Sequence, residues 1–246
     1  MANPEKIIIG LLSALVPTII VILLVVVIAV VLHYISKMGQ AEISRKTEYY
    51  AQLAEFSPKN ATVFFGDSIT ELCKTDSVYG EYSIQSDTSV VNRGISAECT
   101  SQMLARVDES VIALNPKNLV MLMGVNDLNQ GVSYKEITRN IENIIIKVKE
   151  NCPQTNIVLQ AVYPTDPERK SFFERYQLNG RDNQAIKELN VYFKEMAEKQ
   201  NVTFIDVTEL LIDEKGNLRK DYTYDGLHPN VQGYLAVRDE IIKTLV

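Results

Sequence analysis

The sequence predicts an α/β domain built on a mainly parallel sheet, preceded by a single membrane-spanning helix. Two observations lead to the domain. From about residue 58 onward, short apolar runs alternate with amphipathic stretches, and the apolar runs are nearly continuous, as is typical of strands buried on both faces of a parallel sheet. A third observation leads to the helix, because residues 7–32 contain no charged side chain.

The apolar run is long enough to cross a bilayer. As a helix it would extend about 39 Å, against roughly 30 Å of hydrocarbon core. A cleavable secretory signal has a shorter apolar region followed by a small-residue cleavage site, and no such pattern follows here. We therefore predict a short flank at residues 1–6 and an uncleaved transmembrane helix at 7–33.

Residues 34–58 are polar and mostly helix-forming, so we expect a juxtamembrane helical linker before the main domain at 59–246. The expected location is a bacterial-type cell membrane, crossed once, with the domain on the extracytoplasmic side. The short N-terminal flank favours that orientation. The excess of lysine and arginine after the span favours the opposite one, so the orientation stays open.

The pattern predicts five strands and four helices in the domain, joined into a three-layer α/β arrangement. The strands are expected at 62–66, 89–94, 118–124, 156–164 and 202–207. The helices are expected at 98–113, 133–150, 180–200 and after Pro229.

Composition excludes some classes of function. The formal net charge is −6 and the basic residues are scattered, which argues against a nucleic-acid partner. The three cysteines, Cys73, Cys99 and Cys152, are too few and too widely spaced to indicate a compartment or a metal site. We expect no cofactor and no metal.

Polar turns follow the first three predicted strands. They are Gly66-Asp67-Ser68, Asn92-Arg93-Gly94 and Gly124-Val125-Asn126-Asp127. Ligand sites in open parallel sheets lie beyond the carboxyl ends of the strands, so these turns are expected to meet at one edge. The serine hydroxyl at the first turn is a candidate nucleophile.

A base for that serine is easy to nominate, because the chain has two histidines. His33 lies at the predicted membrane boundary, whereas His228 follows Asp225 by three residues. An imidazole can take the proton of a serine hydroxyl, and a carboxylate on its other nitrogen orients it. Taken alone, Asp-x-x-His could also be a helix cap or turn; a zinc site would lack further nitrogen ligands.

In this order the motifs "GDSIT", "NRGIS", "GVND" and "DGLHPN" resemble those of the SGNH/GDSL hydrolase family, over the chain from about Thr62 to its end. The resemblance implies a flavodoxin-like α/β/α sandwich with five parallel strands. It also implies that Ser68 is the nucleophile and that Asp225 and His228 complete a triad. Gly94 and Asn126 would join the Ser68 N–H in an oxyanion hole.

Ordinary structural roles remain open for the two oxyanion residues. Gly94 could be a turn glycine that lets a backbone N–H approach the site, or a turn glycine only. The Asn126 amide could donate to an oxyanion, or it could cap the segment toward Ser133. Asp67 has no necessary chemical task beside the nucleophile, and a role in forming the turn suits it better.

The expected activity is hydrolysis of carboxylic esters, with acyl or acetyl groups on lipids or carbohydrates, by a membrane-anchored serine esterase. Two alternatives stay open: a non-catalytic binding domain on the same fold, and an acyltransferase that uses the same acyl-enzyme. Phe172, Phe173 and Tyr176 are spaced to lie on one side of a helix, where they could border the pocket or simply pack against the domain.

Overall fold

The computed structural model describes residues 4–168 and 178–246. The chain forms two compact units, Met1–Arg45 and Lys46–Val246. The second unit begins within the segment predicted as a linker, thirteen residues before residue 59. The domain boundary at 59 stays a prediction.

Helix α1 runs without interruption from Pro4 to Leu53 and contains Pro17. Within the described residues, it is the one helix long and apolar enough to cross a membrane, with a mean hydropathy of 3.5 in its most apolar window and no burial there. Large apolar side chains between Leu15 and Ile35 are about half exposed or more, as at Val25, which is 60% exposed. A membrane anchor and a signal sequence both have these properties.

The second unit contains a five-stranded sheet in which every strand pair is parallel, in the order β2-β1-β3-β4-β5. This confirms the predicted fold class. The strands are β1 Thr62–Gly66, β2 Val90–Gly94, β3 Asn118–Leu122, β4 Asn156–Gln160 and β5 Thr203–Ile205. Every residue of β1 and β3 is buried, because helices cover both faces of the sheet. Register aligns Gly66 with Gly94 and with Leu122, so the carboxyl ends of β2, β1 and β3, which are neighbours in the sheet, lie level.

Helices connect the strands in the manner of a doubly wound domain. They are α2 Ser68–Leu72, α3 Thr75–Val78, α4 Gly80–Ser86, α5 Thr100–Ala105, α6 Val107–Ser110, α7 Val125–Asn129, α8 Tyr134–Asn151, α9 Asn183–Lys199 and α10 Val231–Ile242. Side-chain caps start the longer ones: Ser133 caps α8, Asp182 caps α9 and Asn230 caps α10, as expected for these residue types.

The predicted helix at 98–113 is broken into α5, α6 and a 3-10 turn at Ile112–Leu114. The break falls at Arg106, whose φ of −111° lies outside the helical range. The Arg106 side chain is fully buried and pairs with Glu98 at 2.6 Å. A buried ion pair of this kind is costly to disrupt, so it fixes the chain path against a continuous helix.

Candidate active site

The turns after β1, β2 and β3 meet at the carboxyl edge of the sheet, as expected. A cavity of about 240 Å³ lies there. Its lining combines polar and apolar side chains: Ser68, Leu72, Ser96, Ala97, Asn126, Arg181, Leu227 and His228. The cavity therefore collects residues from both ends of the domain sequence.

The turn that presents Ser68 depends on its two preceding residues. A Cβ added to Gly66 would lie 2.1 Å from the carbonyl oxygen of Leu122 and 2.3 Å from Thr70 Oγ1, so only glycine fits at the end of β1. Asp67 then caps α2 by accepting a hydrogen bond from the Ile69 N–H at 2.9 Å. Ser68 is the first residue of α2, where its own N–H has no acceptor within the helix.

Ser68, His228 and Asp225 form a hydrogen-bonded series across 160 residues of sequence. His228 Nε2 lies 2.8 Å from Ser68 Oγ, and His228 Nδ1 lies 2.6 Å from Asp225 Oδ2. With Nδ1 protonated, the ring donates to the carboxylate and accepts the serine proton at Nε2. The arrangement can thus move a proton from the hydroxyl to the imidazole while the carboxylate holds the ring.

Asp225 is fixed by the backbone that follows it. Its Oδ1 accepts from the N–H groups of Leu227 at 2.9 Å and His228 at 2.8 Å. Burial raises the pKa of Asp225, but the hydrogen bonds from His228 and Leu227 outweigh it and hold that pKa well below its ordinary value. The carboxylate therefore stays ionised throughout the neutral range, as an orienting group for an imidazole must.

Asn126 lies in the first turn of α7, with its side chain buried beside the serine. Its Nδ2 donates to the Glu98 carbonyl at 2.9 Å, which leaves the second hydrogen of the amide available. The side chain does not cap the segment toward Ser133, since α8 is capped by Ser133 itself. Asp127 instead accepts from the N–H and hydroxyl of Thr100.

Arg181 sets the orientation of the Asn126 amide. Its Nη2 donates to Asn126 Oδ1 at 2.7 Å and its Nε donates to the Val125 carbonyl at 3.1 Å. Because a guanidinium only donates, the amide atom that it contacts must be the oxygen. The amide nitrogen is thereby turned toward Glu98 and the cavity.

The structure places Gly94 away from the position that the resemblance implies for it. Gly94 does not line the cavity, and its N–H donates to Asn92 Oδ1 at 2.8 Å. A Cβ on Gly94 would lie 2.2 Å from the Glu71 nitrogen, so this glycine permits β2 to pack closely against α2.

Ala97, three residues later, lines the cavity instead. Its φ of 66° lies in the left-handed region, which is unfavourable for a residue with a Cβ. Among the described residues, the Ala97 N–H has no hydrogen-bond acceptor. A strained backbone with a free donor at a cavity wall is what an anion site requires.

Asp67 is 1% exposed, and its Oδ2 has no hydrogen-bond partner among the described residues. Burial raises the pKa of this carboxyl to about 7, opposed by the hydrogen bond from the Ile69 N–H and by electrostatic interactions with His228 and Arg181. Its acceptor role toward Ile69 matches the expected turn-forming function. The expected turn-forming function does not account for the second oxygen, Oδ2, which has no partner among the described residues.

Two residues that shape the site, Arg181 and Ala97, were not predicted from the sequence, and neither was the raised pKa of Asp67. Arg181 lies in a mixed polar stretch without periodicity, and Ala97 lacks the glycine that would have signalled a positive φ. The unusual protonation of Asp67 depends on burial, which a single sequence does not display. The predicted aromatic group Phe172, Phe173 and Tyr176 lies outside the described residues.

Comparison with known proteins identifies the family of the chain. Residues 64–236 match the GDSL-like Lipase/Acylhydrolase family. A GDSL esterase/lipase from Arabidopsis thaliana is 26% identical over 202 residues, which cover 74% of this chain and 83% of the plant protein. A structure from Streptococcus pneumoniae, provisionally described as a platelet activating factor, superposes with a TM-score of 0.80 at 28% identity, and the match covers 89% of this chain and 99% of that one.

A second kind of relative shares only part of its length. An N-acylneuraminate cytidylyltransferase from Escherichia coli O18:K1:H7 is 31% identical over 157 residues. The match covers 63% of this chain but 35% of the cytidylyltransferase, so the chain spans about a third of that enzyme.

Proposed function

Because the chain belongs to the GDSL-like lipase/acylhydrolase family, whose members hydrolyse esters, we propose that it is a serine esterase acting through Ser68, His228 and Asp225. The observation that carries the proposal is the pair of contacts at 2.8 Å and 2.6 Å that join the three side chains. In this mechanism Ser68 Oγ attacks the ester carbonyl while His228 Nε2 takes its proton. His228 then returns the proton to the departing alcohol, and water repeats the sequence on the acyl-enzyme.

Three donors would stabilise the negative charge on the tetrahedral intermediate. They are the N–H of Ser68, the N–H of Ala97 and the second amide hydrogen of Asn126, with Ala97 replacing Gly94 in the original prediction. Neither backbone donor has an acceptor among the described residues. Such donors act strongly because they are already oriented before the charge develops.

The substrate is proposed to be a carboxylic ester with a short acyl group on a lipid or carbohydrate. The cavity of about 240 Å³ is slightly smaller than the usual range for ligand pockets, about 300–1,000 Å³. Apolar contacts from Leu72, Ala97 and Leu227 suit an acyl chain of a few carbons. A short acyl group therefore fits better than a long one.

The apolar part of α1 is proposed to be a single-pass anchor that holds the enzyme at a bacterial-type cell membrane, with the catalytic domain on the extracytoplasmic side. Support comes from the length of the apolar run and from its exposed valine, leucine and isoleucine side chains. Exposed apolar surface of this extent is unfavourable in water. Protease digestion of intact cells would test the orientation.

The activity is tested with the full chain in detergent and a series of aryl esters of increasing acyl length. We expect the highest kcat/KM with the acetyl ester, and Ser68→Ala to lower kcat at least about 10⁴-fold. Ester hydrolysis that survives in Ser68→Ala would contradict the mechanism. A product that carries the acyl group on an added alcohol would instead identify an acyltransferase, and no turnover of any ester would favour a binding domain.

A further inference from the structure

The N–H of Ala97 belongs to a short loop after β2, residues 94–97, which we call the oxyanion loop. Glu71 of α2 holds this loop. Its Oε2 accepts from the backbone N–H of Ser96 at 2.6 Å and from the Ser96 hydroxyl at 2.5 Å. Two hydrogen bonds to one carboxylate oxygen fix the residue that immediately precedes Ala97.

Two residues near the C-terminal end of α1 contact the same arrangement. Lys46 Nζ forms an ion pair with the other oxygen of Glu71, Oε1. One helical turn later, the Tyr50 hydroxyl donates to the carbonyl of Gly94 at 3.1 Å. Lys46 and Tyr50 are four residues apart and so lie on one face of the helix. Tyr50 contacts the first residue of the oxyanion loop directly, and Lys46 contacts the carboxylate that holds Ser96.

The environment of these contacts makes them stronger than ordinary surface contacts. The side chains of Lys46 and Glu71 are 24% and 23% exposed. Burial raises the pKa of Glu71, but the hydrogen bonds from Lys46 and Ser96 outweigh it, and the pKa is lowered overall. Partly buried, charge-assisted hydrogen bonds are shorter and stronger than neutral ones.

Neighbouring residues of α1 provide a contrast. Arg45 pairs with Glu42 on its own helix, and its side chain is 67% exposed; such pairs contribute little. Tyr49 is 54% exposed, whereas the ring of Tyr50 lies 4.8 Å from the guanidinium of Arg93. Adjacent residues of the same types therefore point away from the loop.

We propose that Lys46 and Tyr50 are positioning residues, which hold the oxyanion loop so that the Ala97 N–H meets the developing charge during ester hydrolysis. The inference rests on the proposed function and extends it to a segment outside the α/β fold. Lys46 acts through Glu71 and Ser96, and Tyr50 acts through the Gly94 carbonyl. Neither side chain touches the substrate.

The test measures kcat and KM of the full chain in detergent with an aryl acetate. We expect Lys46→Met and Tyr50→Phe each to lower kcat about 3- to 30-fold with KM changed less than about twofold. A displacement of 1 Å at a reacting group can cost about 100-fold, and loss of one oxyanion donor costs about 10²- to 10³-fold. Partial loosening of the oxyanion loop should therefore lower kcat by less than a full 1 Å displacement or the loss of a donor would.

Matched controls come from the adjacent positions. Arg45→Met and Tyr49→Phe should keep kcat within about twofold, and Lys46→Arg should restore most of the activity lost in Lys46→Met. Because Lys46 acts through Glu71, adding Lys46→Met to Glu71→Gln should cause little further loss, whereas adding Tyr50→Phe should cause its full effect. Affinity for a boronic acid that forms a tetrahedral adduct on Ser68 should fall in parallel with kcat.

Wild-type kcat in both Lys46→Met and Tyr50→Phe would overturn the inference. So would a loss confined to KM, equal losses in the Arg45 and Tyr49 controls, or unchanged boronic acid affinity. If Lys46→Met unfolds, the comparison of Tyr50→Phe with Tyr49→Phe decides. Failure of the proposed function is seen separately, as hydrolysis that persists in Ser68→Ala.

Discussion

At the scale of single residues, the contact between Arg181 and Asn126 determines which atoms face the cavity. An asparagine amide presents either an acceptor or two donors, depending on its rotation about the last bond. Two hydrogen bonds favour the rotation that turns the NH₂ group to the cavity. Arg181 Nη2 donates to Asn126 Oδ1, and Asn126 Nδ2 donates to the Glu98 carbonyl. The proposed stabilisation of an oxyanion by Asn126 would therefore depend on Arg181.

We expect Asn126→Ala to lower kcat about 10²- to 10³-fold with little change in stability, since one oxyanion donor is removed. Arg181→Lys keeps the charge but cannot reproduce both the Asn126 and Val125 contacts, and about a tenfold loss is expected. Kinetics of the two single variants and the double variant form a cycle. In the Asn126→Ala background, Arg181→Lys should cost no more than about twofold.

Equal costs of Arg181→Lys in both backgrounds would show that the arginine acts independently of the amide. Thermal unfolding of all four proteins serves as the control, because Arg181 is 8% exposed and its replacement could weaken the fold. A loss of kcat that follows the melting temperature would be a stability effect only.

Residue-level reading of the sequence named the three residues of the proposed triad but not all of the proposed oxyanion donors, for a physical reason. Ser68, Asp225 and His228 are chemically distinctive, and each occurs in a short motif. A backbone N–H donor can come from any residue, so its position depends on the local chain path. The glycine at position 94 suggested a close backbone approach; the approach that the structure has is to α2, and the proposed donor is Ala97.

At the scale of elements, the packing of β2 against α2 explains why Gly94 is glycine. Besides the close contact with the Glu71 nitrogen, a Cβ at Gly94 would lie 2.7 Å from the Glu71 Cα and 2.8 Å from the Thr70 carbonyl carbon. All three atoms are backbone, so no side-chain rotation can relieve the contact. Asn92 strengthens the same junction by donating to the carbonyls of Thr70 and Cys73.

We expect Gly94→Ala to destabilise the protein by about 1–3 kcal/mol, because β2 and α2 must separate. The melting temperature should fall by several degrees. Gly80→Ala is the matched control, since a Cβ at Gly80 meets nothing within 4 Å. A Gly94→Ala protein with unchanged stability would contradict the packing role. Alanine keeps the backbone N–H of residue 94, so the substitution tests the space available to a side chain and not the loss of a donor.

Prediction of the strands and helices succeeded where burial determines the pattern of apolar residues in the sequence. The five strands were located correctly, because strands covered on both faces read as continuous apolar runs. The helix expected at 98–113 failed at Arg106, where a buried ion pair with Glu98 outweighs local helix propensity. Tertiary contacts of this kind are formed by residues whose partners a single sequence does not identify.

At the scale of the whole molecule, the domain collects its site from residues that are far apart in sequence. Ser68 and His228 come from the first and last connections of the sheet, and Asn126 comes from its centre. This convergence follows from the parallel topology, in which consecutive strands deliver their carboxyl ends to one edge. The same convergence buries polar groups near that edge, and Asp67 is the clearest case.

Asp67 is expected to make the stability of the protein depend on pH. Burial raises its pKa to about 7 from an ordinary value of 3.8. The folded protein therefore retains a proton that the unfolded chain has already lost between about pH 4 and pH 7. Stability falls as pH rises through that interval, because unfolding releases the proton.

Asp67→Asn removes the titration and keeps a carbonyl oxygen for the Ile69 N–H. The wild type should lose stability from pH 5 to pH 8 and the variant should not, so the difference in free energy of unfolding between them should shift in favour of the variant by on the order of 2–4 kcal/mol. Thermal unfolding of the full chain in detergent at both pH values measures the difference, and comparison of the two proteins cancels the groups that they share. A difference in melting temperature that is the same at pH 5 and pH 8 would mean that Asp67 keeps one protonation state throughout, and the buried carboxyl would then have no part in the response of the fold to pH.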